Sequence, residues 1–169
     1  MQNIAEHILI IGCGNILRSD DGVGPVLLRH LLDRGLPAGV GVADGGTAGM
    51  DVAFRMRGAR HVVLIDACTT GAEPGTIYEV PGHEVETPPL EACGNLHSFR
   101  WDHAISFARW LLKDDFPESI TVYLIEAQTT APGMELSAVV RESMHRLIDR
   151  LIDRTSNPAA WEATACTSS

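Results

Sequence analysis

A chain of 169 residues, 45% hydrophobic and 21% charged, has the size and composition of one globular domain with its own core. Its formal net charge of −9, from 22 acidic against 13 basic residues, argues against a broad phosphate-binding surface, so no nucleic-acid partner is expected. No apolar run reaches bilayer-spanning length, MQNIAEHILIIGCGN lacks the basic region of a signal peptide, and Cys13, Cys68, Cys93 and Cys166 form no Cys-x-x-Cys pair. A cytoplasmic protein with reduced thiols and no membrane insertion is expected.

In chain order, His7 to Ile11 (HILII) predicts a buried strand ending at a glycine turn. Val23 to Leu32 has helical spacing and is stopped by Gly35. Val40 to Ala43 is a weaker strand running into DGGTAG, and Met50 to Met56 a short helix. His61 to Ile65 (HVVLI) is a strong strand ending at Asp66. The connection TTGAEPG is too short for a crossover helix, so Thr76 to Val80 is expected to run antiparallel to its predecessor. Pro81 to Asn95 reads as a long functional loop. Trp101 to Leu112 is a helix, Ile120 to Ile125 a strand, and Gly133 to Ile152 an amphipathic closing helix. This alternation predicts a three-layer α/β/α sandwich with a mainly parallel twisted sheet and one antiparallel strand. Residues 1–154 form the single domain, and 155–169 read as a disordered tail.

Ligands of open α/β sheets bind beyond the carboxyl ends of the strands. Three acidic positions follow strands here: Asp20–Asp21, Asp44 and Asp66. Each has a local explanation, since Asp caps helices and makes turns with glycine. Together they point to one site, because carboxylates gathered in a crevice call for a cation or raised pKa values. Gly12-Cys13-Gly14 begins a dinucleotide-type turn, but Leu17 occupies the third glycine position and the acidic pair would repel a pyrophosphate. Of seven histidines, His97 in GNLHSF precedes a helix and is the best placed to reach the crevice, while His103 within that helix is weaker. Two carboxylates and one imidazole suit a borderline divalent ion such as zinc or nickel. No base is paired with Cys68 or Cys93, so a cysteine nucleophile ranks low.

GCGNILRSDDGVG, then DGGTAGMD, VVLIDAC and GNLHSF, resembles the hydrogenase maturation endopeptidases of [NiFe]-hydrogenases, in the same order and with similar spacing over roughly residues 8 to 152. The resemblance implies a protease of aspartyl type that removes a C-terminal extension from the hydrogenase large-subunit precursor after nickel insertion. It implies Asp21, Asp66 and His97 as metal-contacting and catalytic positions, with Asp44 in a supporting or catalytic role. Asp20 is left to cap the following helix or tune the charge. The implied partner is the nickel-loaded precursor, with nickel presented by that substrate, and the enzyme is expected to be a monomer. A metal-dependent hydrolase of a small substrate, or a non-catalytic nickel-sensing chaperone, could use the same residues.

Overall fold

The computed structural model describes residues 7–86, 101–157 and 161. Strands β1 (Ile8–Cys13), β2 (Val40–Gly46), β3 (His61–Cys68), β4 (Ile77–Pro81) and β5 (Ser119–Glu126) form one sheet in the order β2-β1-β3-β5-β4. All pairs are parallel except β4 with β5. The short connection makes β4 antiparallel as expected, but it pairs with β5 rather than with β3. Strand β5 arrives later in the chain and occupies the position between them, aligned on β3 from His61↔Ser119 to Cys68↔Glu126.

Helices α1 (Val23–Arg34) and α4 (Ala138–Thr155) cover one face, and α2 (Gly49–Arg55) and α3 (Trp101–Leu112) the other. Side chains alternate across a strand, so β1 sends Ile8 and Ile10 to the first face and Leu9 and Ile11 to the second. Strand β3 repeats the division, with Val63 and Ile65 against Val62 and Leu64. Because both faces are covered, the central strands are continuous apolar runs rather than alternating ones. This fixes the orientation of Asp66: it shares the parity of Val62 and Leu64 and stands where β3 outruns β1, whose pairing ends at Gly12↔Ile65.

Strands β2 and β3 run three residues beyond expectation, to Gly46 and Cys68, and two features toward the C-terminal end of the chain also differ. Helix α4 starts at Ala138, not Gly133, because Ser137 is its N-cap, accepting a bond from Val140 N–H, and the preceding loop is held elsewhere. Within the stretch read as a tail, Trp161 is buried at 1% exposure; its indole N–H donates to the Arg154 carbonyl at 3.2 Å, and the Arg154 guanidinium lies over its ring at 4.4 Å. Residues 158–160 and 162–169 of that stretch lie outside the described residues, as do residues 87–95 of the expected loop.

Candidate functional site

A cleft of about 510 Å³ opens beyond the carboxyl ends of β1, β2 and β3. Strand order reverses there between β1 and β3, the position at which doubly wound sheets bind ligands. Its walls are the loop after β1, the glycine-rich segment from Gly45 to Gly49, and the end of β3 from Asp66 to Thr70.

Two of the expected acids line it. Asp21 is half-buried at the end of a short 3-10 turn (Ser19–Gly22), and its Oδ2 accepts the Asn15 N–H at 2.9 Å. Asp66, 9% exposed, accepts the Ala67 N–H on Oδ1 at 2.8 Å. Gly14 draws these two segments together. It has φ +121°, and a Cβ there would sit 1.8 Å from the Asp21 carbonyl oxygen and 3.4 Å from Asp66 Oδ1. Only glycine tolerates both the backbone conformation and the approach. Its N–H donates to the Gly46 carbonyl at 2.9 Å, tying the β1 loop to the glycine-rich wall.

Asp44 is placed differently. It is exposed, does not line the cleft, and accepts the Gly46 N–H on Oδ1 at 2.8 Å. That bond, an Asx turn, sets the course of DGGTAG. His97 lies outside the described residues, and His103 is half-buried on α3. Among the described residues, no group of three or more His, Cys, Asp or Glu side chains could hold a metal ion.

Asp20, expected to cap α1, instead faces the other way. Helix α1 has Gly22 at its N-cap with no side-chain cap bond. Asp20 is fully buried, and its carboxylate accepts from Gln128 N–H (2.9 Å), Thr129 N–H (3.0 Å), Ser137 N–H (2.7 Å) and Ser137 Oγ–H (3.0 Å). It thereby binds the loop between β5 and α4 to the turn carrying Asp21. Backbone bonds from Ser19 N–H to the Gly133 carbonyl and from Gly133 N–H to the Leu17 carbonyl close the same seam.

Glu126, which the sequence reading passed over, does the equivalent work on the other wall. It is 2% exposed at the end of β5 and accepts Thr70 N–H, Gly71 N–H and the Thr70 hydroxyl at 2.8 to 2.9 Å, and the Cys68 thiol at 3.3 Å. Burial pushes its carboxyl upward, but these donors outweigh burial and hold it below the usual carboxylate range. The signal was present: ITVYLIE ends an apolar strand in a carboxylate, as HVVLID does. A depressed folded-state pKa contributes stability above the unfolded value and loses it as pH falls through the folded one. Glu126→Gln is therefore expected to lower Tm at pH 7, with the gap from the unaltered protein closing below pH 4.5, the ordinary value of this group. Melts across pH 3 to 7 measure it.

The two described thiols are unsuited to attack. Burial, then the charges of Asp66 and Asp44, raise the Cys13 thiol far above its ordinary value. Cys68 is pushed up to about 12 by burial, by its bond to Glu126 and by the charges of Glu126 and Asp66. The thiolate is the nucleophile, so neither group is active near neutrality. Iodoacetamide at pH 7.5 is expected to leave Cys68 unmodified by mass analysis of the folded protein, with labelling rising only as pH approaches 12.

Fold and site define an α/β/α protein with two carboxylates lining a cleft at the sheet's switch point. A family model described as hydrogenase maturation protease matches residues 26–154. The chain is 29% identical over 158 residues to the coenzyme F420 hydrogenase subunit delta of Methanothermobacter thermautotrophicus, covering 87% of this chain and 93% of that one. It is 26% identical over 148 residues to the hydrogenase 2 maturation protease of Escherichia coli, covering 86% and 88%. The solved structure of the hydrogenase maturating endopeptidase HybD from E. coli superposes with a TM-score of 0.73 at 25% identity, covering 89% of this chain and 94% of that one. The chain belongs to the hydrogenase maturation protease family and is a peptidase. No helix among the described residues is long and apolar enough to cross a membrane.

Proposed function

We propose that this peptidase removes the C-terminal extension of a [NiFe]-hydrogenase large-subunit precursor after nickel insertion, reading the nickel in that substrate through Asp21, Asp66 and His97. The observation that carries the reading is the presence of Asp21 and Asp66 in one cleft at the switch point of a chain of this family. Two carboxylates with an imidazole are a donor set suited to a borderline divalent ion. Nickel belongs to the substrate, and the protein's share is to supply charge and ligands on a prepared frame.

The chain's own groups then act as follows. The Gly45 to Gly49 wall lets an extended peptide approach the backbone closely, and Asp44 supports it by holding the turn. A cleft carboxylate takes a proton from the water that attacks the scissile carbonyl. The unreactive thiols of Cys13 and Cys68 favour this aspartyl-type scheme over an acyl-enzyme on either of them. The reading keeps the enzyme monomeric and cytoplasmic.

The test is the mass of a nickel-loaded precursor after incubation with the purified protein and its histidine variants. Loss of a C-terminal peptide with the unaltered protein and with His103→Ala, but not with His97→Ala, supports the assignment. An unchanged mass with the unaltered protein contradicts it, and processing abolished by His103→Ala but not by His97→Ala places the imidazole on α3 instead.

A further inference from the structure

We infer that Arg18 is a specificity-determining residue of the cleft, its guanidinium receiving a carboxylate of the bound peptide; the inference rests on the peptidase reading above. Arg18 lines the cleft with Asp21, Asp66 and Thr130. Its backbone is fixed by Arg18 N–H to the Asn15 carbonyl at 3.0 Å and by its bridge to Gly133. Its side chain is fixed by Nε–H donating to the Thr130 carbonyl at 3.2 Å. With Nε so engaged, the two terminal nitrogens remain as a planar fork, the geometry that meets a carboxylate with two parallel bonds.

Arg34, Arg60, Arg109, Arg146, Arg150 and Arg154 each meet a carboxylate of the protein. Among the described residues Arg18, Arg29, Arg55, Arg57 and Arg141 meet none, and of these five only Arg18 lines the cleft. Among the described residues, the other charged side chains lining the cleft are Asp21 and Asp66, which repel an anionic peptide. Arg18 reverses that sign at one point, so it selects where along the cleft a carboxylate is tolerated. The carboxylate has two sources, an acidic side chain or the free C-terminus of the extension, and the two are separable.

Three short probes distinguish them: acetyl-tetra-alanine with a free C-terminus, the same peptide as its C-terminal amide, and the amide with Asp as its third residue. Affinities are read by NMR titration of the intact protein and of Arg18→Gln and Arg18→Lys. At least one anionic probe is expected to bind about tenfold tighter than the neutral amide, the worth of one partly exposed charge-assisted bond. Which probe gains identifies the source. Arg18→Gln should equalise all three, and Arg18→Lys should keep part of the preference through charge without the fork. Equal affinities for the unaltered protein, no saturable binding of either anionic probe at millimolar concentration, or a preference surviving in Arg18→Gln would overturn the inference. So would an equal weakening of all three probes in Arg18→Gln, which is the signature of a mere tether for Thr130. Precursor cleavage measured in parallel keeps the two readings apart: cleavage without probe discrimination removes Arg18's role alone, and discrimination without cleavage removes the peptidase reading of the cleft.

Discussion

Asp66→Asn is expected to slow precursor processing about 100-fold or more, the scale of losing a positioned acid–base group. The substitution removes one charge and almost no volume. Asparagine keeps an oxygen able to accept the Ala67 N–H that Asp66 now accepts, so the strand end is not disturbed. Its charge shares the cleft with that of Asp21, and like charges in one crevice repel. Relieving that repulsion leaves Tm unchanged or slightly higher, the pattern of a residue kept for function rather than stability. Processing assays and thermal melts on one preparation check both halves. Normal processing would remove Asp66 from the site, and a large fall in Tm would make its role structural.

Asp20→Asn is expected to do the opposite, with the fold failing first. Both carboxylate oxygens are occupied, Oδ1 by Ser137 N–H and Oδ2 by Gln128 N–H, Thr129 N–H and the Ser137 hydroxyl. Asparagine must turn an NH₂ toward one of these groups and strand at least one buried backbone donor. The loss of a charged acceptor with an orphaned donor costs about 3 kcal/mol. In a domain of this size that lowers Tm by about 6 to 12 °C, read in a thermal melt. The seam between the Asp21 turn and the loop before α4 loosens with it, so processing falls below the melting temperature as well. A variant with unchanged Tm would show that the buried acceptor is dispensable.

These two acids mark what could be read from the residues and what could not. Asp66 was legible because it ends an apolar strand, and ligands of such sheets sit beyond strand ends. Asp20 was not, because its partners lie 108 to 117 residues away and nothing local distinguishes it from a helix cap. The same limit explains α4: the spacing of MELSAVV extends the helical pattern backward, whereas the observed start depends on Asp20 and Ser137 meeting in three dimensions. Helix α3 was legible to both of its ends because its pattern is local. The direction of β4 followed from a short connector, but its partner β5 enters the sheet about forty residues later. Asp44 shows the converse, a strand-end acid whose side chain is spent on its own turn.

Cleavage is expected to depend on nickel in the substrate, read through Asp21 and Asp66. The most direct measurement is the mass of the large subunit after equal incubation of nickel-loaded and nickel-free precursor with the purified protein. Loss of the C-terminal peptide is expected from the loaded precursor only. Equal cleavage of both forms would contradict it.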